Sequence, residues 1–422
     1  MRKYHPATIA VTGGFQNDSE TGATNPPLCL SNAYQFKNAE HAADLFNLET
    51  AGYIYTRMHN PTTTVLEDRL TALENGAGTV ATSTGHFAEL MVFSALCATG
   101  DEIIASSRLY GGTVNMLATA LARFGITTRF ADQRKPESWE ALINDKTKVL
   151  YMEALANPDS SIPDFEKFAE LAKKHKVVLV VDSTITTPWL FRPGEVGANV
   201  VIHSTTKYIC GNASVMGGAA VDIGNFDWEA SGRYPQLTEA DSSYHGLSFS
   251  KAFGSAALAV YMRTKVLRDF GGTPSPFNSL MILNGLQTLH LRMPRHVENA
   301  GIIASTLKEH KNVKSVSYPG LSEHIDHALA LKYFKRGPGG LLTIEAESYE
   351  KAKKLIESVK LCIHAVNVGD ARTVLTHPAS TTHRQATEAQ LAAAGITPAT
   401  VRISAGIEDV RDILEDITQG LD

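Results

Sequence analysis

Between residues 78 and 203, short runs of aliphatic and β-branched residues alternate with stretches whose apolar residues recur at helical spacing. Gly78-Thr-Val-Ala-Thr82, Glu102-Ile-Ile-Ala-Ser106, Thr127-Thr-Arg-Phe130, Lys148-Val-Leu-Tyr-Met152, Val177 to Val181 and the run from Val200 read as strands. Gly85 to Cys97, Thr113 to Phe124 and Phe165 to His175 read as the helices between them. Thr64 to Glu74 is a helix ahead of the series, with Leu66, Leu70 and Leu73 on one face. Such alternation constrains the chain to an α/β fold with a mostly parallel, doubly wound sheet. Ligands of these sheets bind outside the carboxyl ends of the strands, so the loops after the strands are where a site belongs.

Two of those strand ends carry chemistry. The run Val200-Val-Ile-His-Ser-Thr-Thr-Lys207 leads from a strand into three hydroxyls and a lysine, 25 residues after Asp182 closes the preceding strand. A lysine beside hydroxyls, with an aspartate on a neighbouring strand end, meets the needs of pyridoxal phosphate chemistry. The lysine forms the Schiff base, the aspartate holds the pyridinium proton and the hydroxyls serve the phosphate. Taken alone, Lys207 is better explained as an exposed lysine after a strand, and Asp182 has a lesser alternative as a helix cap. Thr84-Gly85-His86, between a strand and a helix start, offers free backbone N–H groups to an anion.

Further motifs occur in a fixed order. Tyr53-Ile-Tyr-Thr-Arg57 and Asn60-Pro-Thr62 are followed by Leu109-Tyr-Gly-Gly-Thr113, Asn157-Pro158, Asp182 and Ser204-Thr-Thr-Lys207. His377-Pro-Ala-Ser-Thr-Thr-His383 and Val401-Arg-Ile-Ser-Ala-Gly-Ile-Glu408 complete the set. Together they resemble the Cys/Met-metabolism family of pyridoxal-phosphate enzymes, from about Ala10 to the end, and within it the O-acetylhomoserine sulfhydrylase subgroup. The resemblance implies the type I fold of pyridoxal-phosphate-dependent transferases: an N-terminal arm over 1–60 that reaches a neighbouring subunit, a cofactor domain over 61–274 and a smaller α+β domain over 275–422.

It also implies roles. Lys207 is the Schiff-base lysine and proton carrier, and Asp182 faces the ring nitrogen of pyridoxal 5'-phosphate. Tyr110 stacks on the ring beside the leaving group, and Asn157 meets the phenolic oxygen, with Glu153 behind it. Gly85, His86, Ser204 and Thr206 bind the phosphate, joined by Tyr55 and Arg57 from the neighbouring subunit. Arg402 takes the substrate carboxylate, with Asn367 and Ser380 at the same end and Arg372 as a competitor. The implied assembly is a homotetramer built from catalytic dimers. The implied reaction is γ-replacement on an amino-acid ester by sulfide or a thiol. Methionine γ-lyase and cystathionine γ-lyase or synthase chemistry of the same family are the rivals. Asn367, where many lyases carry serine, and the stretch from Asp222 to Gly254 favour replacement. His86, Ser183 and Gly211-Asn-Ala-Ser214 depart from the family pattern. A catalytically idle member serving as a binding partner is opposed by the intact residue set.

Bulk properties exclude other classes. A 43% hydrophobic, 20% charged chain of 422 residues is globular, and its net charge of -5 gives no argument for nucleic acid or a membrane surface. No apolar run approaches membrane-spanning length, and the N-terminus lacks the apolar core of a signal peptide. The four scattered cysteines form no disulfide framework, which suits a cytoplasmic protein. Metal-ligand spacing is absent, and neither Thr12-Gly13-Gly14 nor Gly211 to Gly218 fits a dinucleotide or triphosphate loop. Beyond Ser275-Pro276 a long helical region is expected, kinked or ended at Pro294.

Overall fold

The computed structural model describes residues 4–422 apart from 158, 383, 385–386, 388–390 and 392–394, so Pro158 and His383 lie outside the described residues. Seven strands form the larger sheet: β1 (Gly78–Thr82), β2 (Glu102–Ser106), β3 (Thr127–Ala131), β4 (Thr147–Glu153), β5 (Val178–Asp182), β6 (Val200–His203) and β7 (Gly218–Asp222), in the order β1-β7-β6-β5-β4-β2-β3. Strands β2 to β6 run parallel, and β7 is antiparallel to both β6 and β1. The sheet is buried on both faces. Leu179 and Val181 join one core, with Phe165 and Phe168 of the helix Phe165–His175. Val178 and Val180 join the other, with Met91 and Val92 of the helix Gly85–Leu96. Double burial explains why these strands read as continuous apolar runs.

The smaller sheet comprises β8 (Val313–Ser317), β9 (Leu341–Ala346), β10 (Ile363–His364), β11 (Val374–Thr376) and β12 (Thr400–Ser404), in the order β10-β11-β12-β9-β8. Its core comes from Leu342, Ile344, Val401 and Ile403, packed on the helix Leu289–Lys308 and the C-terminal helix Val410–Leu421.

Sequence and structure part in several places, the short strand β11 among them. The expected helical region after Ser275 breaks at Thr288, between Pro276–Gln287 and Leu289–Lys308, and Pro294 lies within the second helix. Pro294 is the sixth residue of that helix, so it forfeits the backbone bond to the His290 carbonyl, and the helix continues past it. Ile282, Leu283 and Leu286 of the first helix pack into the core of the larger sheet, not the smaller. Strand β7, made of Gly, Ala, Ala, Val and Asp, lacks the β-branched signature and was not expected. The first residues are not simply extended: Pro6–Thr12 is helical, and buried Arg69 donates to the carbonyls of Gly13 and Ala10. The rest of residues 4–60 is largely irregular, with a helix at Ala39–Phe46 and an isolated bridge between Ala33 and Tyr55.

Candidate active site

A cavity of about 370 Å³ opens at the carboxyl ends of β4, β5 and β6, and its lining includes Gly85, His86, Tyr110, Asn157, Asp182, Ser204, Thr206, Lys207, Asn367 and Arg402. Ten of the thirteen expected residues are thus brought together from segments up to 317 positions apart, counted from Gly85 to Arg402.

Lys207 follows β6 in a turn whose backbone closes from Lys207 N–H to the Ser204 carbonyl (3.2 Å). Its Nζ donates to Asn367 Oδ1 at 3.0 Å. Burial, with the positive charge of Arg402 added, pushes the amine down to about 8. Desolvation disfavours the ammonium, and a neighbouring cation adds to that. Asp182 ends β5 on the sheet face that carries the helix Gly85–Leu96. Burial raises its carboxyl, while hydrogen bonds from Thr184, its N–H at 2.8 Å, and the nearby His203 and His86 side chains favour the anion.

Glu153, at the end of β4, accepts from the backbone N–H of Tyr110 at 2.6 Å and of Asn157 at 2.9 Å, so one carboxyl sets the position of two lining residues. Tyr110 meets His86 edge-on, with ring centroids 5.7 Å apart. A Cβ on Gly112 would lie 2.6 Å from the Tyr110 ring and 2.8 Å from His86 Nε2, so only glycine admits this pair.

Arg402, on β12, is 3% exposed and donates to Asn157 Oδ1 (2.9 Å), the Asn367 carbonyl (3.0 Å) and Thr376 Oγ1 (3.1 Å). Its Nε is buried without a partner. The competitor Arg372 is turned away: exposed, it forks onto Asp370 at 3.1 and 2.8 Å. Ser380 is exposed, bonds His377 Nδ1 at 2.8 Å and stands outside the cavity lining; Thr376 is the hydroxyl that touches Arg402. Tyr55 and Arg57 are exposed, stack on each other at 5.4 Å and also stand outside this cavity.

The residues fit pyridoxal 5'-phosphate. Thr84 caps the helix Gly85–Leu96 by accepting from Phe87 N–H at 3.0 Å, and the N–H groups of Gly85 and His86 have no acceptor within the helix. A Cβ on Gly85 would sit 2.6 Å from Ser204 Cβ, so glycine lets the helix start approach the Ser204 hydroxyl. An anion held there would meet backbone N–H groups, the helix dipole and a hydroxyl. Thr206 Oγ1 currently exchanges bonds with Gly217 at 3.0 and 3.1 Å. Across the cavity lie an amine able to form a Schiff base and a buried carboxylate for a protonated ring nitrogen.

Among the family departures, Ser183 is buried and shares a 2.6 Å bond with Thr186, which fixes the loop after Asp182. Asn212 Oδ1 gathers Cys210 Sγ and the N–H and hydroxyl of Ser214. Several lining residues had no role in the sequence reading, among them Glu89 and Thr113. Glu89 stood as one acidic residue in an otherwise apolar helix, and Thr113 as the end of a glycine motif. Among the described residues no group of three or more His, Cys, Asp or Glu could hold a metal ion, and no helix is long and apolar enough to cross a membrane.

Comparison with known proteins agrees with this geometry. The chain is 42% identical to a homocysteine synthase of Schizosaccharomyces pombe over 99% of this chain and 98% of that one. It is 43% identical to O-acetyl-L-homoserine sulfhydrylase 1 of Thermus thermophilus over 98% and 99%. A crystal structure of an O-acetylhomoserine (thiol)-lyase from Campylobacter jejuni, containing N'-pyridoxyl-lysine-5'-monophosphate, superposes with a TM-score of 0.97 at 36% identity, covering 99% of this chain and 100% of that one. The model of the Cys/Met metabolism PLP-dependent enzymes matches residues 7–422, and the chain belongs to that family.

Proposed function

We propose that this enzyme catalyses γ-replacement on O-acetyl-L-homoserine: the Cγ–O bond to acetate breaks, a Cγ–S bond to sulfide or methanethiol forms, and homocysteine or methionine results. The observation that carries the reading is the convergence of Lys207, Asp182 and Arg402 on one cavity. Full-length similarity to relatives named for this reaction supports the choice of substrate.

Bound pyridoxal phosphate supplies an electron sink for negative charge at Cα. Asp182 holds the proton of the ring nitrogen, and Tyr110 lies against the ring face. Gly85 and His86 offer backbone N–H groups to the phosphate, joined by the hydroxyls of Ser204 and Thr206. Asn157 Oδ1 already accepts from Arg402, which leaves its amide N–H groups for the phenolic oxygen. The Arg402 guanidinium, with Nε uncommitted, orients the substrate α-carboxylate.

Lys207 moves the protons. An amine with a pKa of about 8 is neutral in about a tenth of molecules at pH 7. Asn367 takes one Nζ–H and turns the remainder of the amine toward the cavity. Lys207 removes the Cα proton, assists loss of a Cβ proton as acetate leaves, and returns protons after sulfur has added. Tyr55 and Arg57, away from their own cavity, complete the phosphate site of a second copy, so the catalytic unit is at least a dimer.

The test is a product assay with O-acetyl-L-homoserine, with and without sulfide. Sulfide-dependent homocysteine is the expected result. Rapid 2-oxobutyrate regardless of sulfide would refute replacement in favour of elimination.

A further inference from the structure

Beneath the cavity sits a carboxyl that the proposed chemistry leaves unused. Glu89 lies on the sheet-facing side of the helix Gly85–Leu96 and is 3% exposed. Its Oε1 accepts from Thr113 Oγ1 at 2.8 Å and from the Tyr151 hydroxyl at 2.7 Å. Its Oε2 is buried with no partner, and the residue lines the cavity. Glu153 and Asp182 stand at the ends of adjacent parallel strands, paired in register; the Asp182 charge bears on Glu89, and Glu89 in turn bears on Glu153. Three carboxyls therefore share the floor of one cavity, and like charges so placed do not all ionise.

Their surroundings decide which of them keep a proton. Glu153 accepts two backbone N–H groups, yet burial and the Asp182 charge hold its carboxyl well above the usual carboxylate range, so it keeps a proton, whereas Asp182 accepts the Thr184 N–H and is favoured as the anion by the His203 and His86 side chains. Glu89 has only neutral hydroxyls and an unpartnered oxygen. Other charged groups on the packed elements are committed elsewhere: Arg263 to Glu67, Lys265 to Asp241, His203 to Glu74, and Asp222 to the N–H groups of Gly224 and Ala259. Lys207 and Arg402 line the same cavity.

We propose that Glu89 is a positioning residue that stands as a neutral carboxylic acid under the cofactor cavity and keeps Asp182 the anion facing the ring nitrogen. Burial and the Asp182 charge push the Glu89 carboxyl up to about 8, in line with that arrangement. Above that pH Glu89 ionises, and a second negative charge enters the floor of the site. The inference rests on the cavity being the pyridoxal phosphate site.

The test follows the visible absorption of the cofactor-loaded enzyme from pH 6.5 to 9.5. Glu89→Gln reproduces the shape of the neutral acid, including a donor at Oε2. It should match the wild-type spectrum below pH 7 and lose a spectral step centred near pH 8 that the wild type shows. Thr113→Val removes a hydroxyl that favours the anion and should move that step to higher pH. Superimposable titrations of wild type and Glu89→Gln would overturn the inference while leaving the cofactor site standing. A wild-type protein that acquires no visible band when loaded would overturn the cofactor site and the inference with it.

Discussion

Replacing Arg402 by lysine tests the substrate end of the site while conserving its charge. The arginine is held by three hydrogen bonds, to Asn157, Asn367 and Thr376, and keeps Nε free. A lysine places one ammonium where a planar fork stood, so the bidentate grip on a carboxylate is lost. One charge-assisted hydrogen bond is worth about 1.5–3 kcal/mol. At 1.36 kcal/mol per decade this predicts a fall of roughly 10- to 150-fold in kcat/KM for O-acetyl-L-homoserine. The loss should fall mostly in KM, because the carboxylate is bound equally in ground and transition states. Arg402→Met removes the charge as well. Arg402 helps hold the Lys207 amine down at about 8, so its loss moves that pKa up and leaves less neutral amine at pH 7. Each unit of rise slows Schiff-base formation in cofactor-free protein about tenfold at pH 7, measured by stopped-flow absorbance after adding pyridoxal phosphate. Arg402→Lys keeps the charge and should react within about threefold of wild type in the same assay. Wild-type kcat/KM in Arg402→Lys, or an unchanged rate of cofactor attachment in Arg402→Met, would refute the assigned roles.

Subunit sharing predicts complementation. Lys207→Ala and Arg57→Ala proteins are each inactive, yet unfolding and refolding them together should recover about a quarter of wild-type activity through hybrid dimers with one intact site; no recovery argues for sites within single chains. The fully buried pair Glu74–His203, at 2.7 Å, predicts that Glu74→Ala destabilises the protein by about 3–5 kcal/mol in urea unfolding. A loss under about 1 kcal/mol would show that the pair is not coupled. Burial holds the His296 imidazole down at about 4, against an ordinary 6.5. The unfolded chain then binds the extra proton, so stability is present above pH 6.5 and drains as pH falls toward 4. His296→Gln should flatten that part of the stability profile, and an unchanged slope would place the acid sensitivity elsewhere.

The parallel sheet was legible because burial on both faces demands apolar, β-branched strands, and β2, β4, β5 and β6 are built that way. Lys207 and Asp182 were legible for a related reason: a polar residue that closes such a strand stands where the sheet opens to ligand. Strands β7 and β11 escaped notice because small or few residues carry little periodicity, and their pairing is fixed by the neighbours on either side. The helix break likewise falls at Thr288, six residues before Pro294, where no stop signal was legible.

The sequence by itself determined the fold class, the order of the motifs and the candidate reactive side chains, since local periodicity and residue chemistry need no partner to be read. Tertiary structure alone separated Arg402 from Arg372, turning one into the cavity and pairing the other with Asp370 at the surface. It also set Ser380, Tyr55 and Arg57 outside the cavity lining and placed Glu89 beneath it. Direction, burial and the field of distant charges are properties of the packed chain, and a linear pattern does not encode them residue by residue.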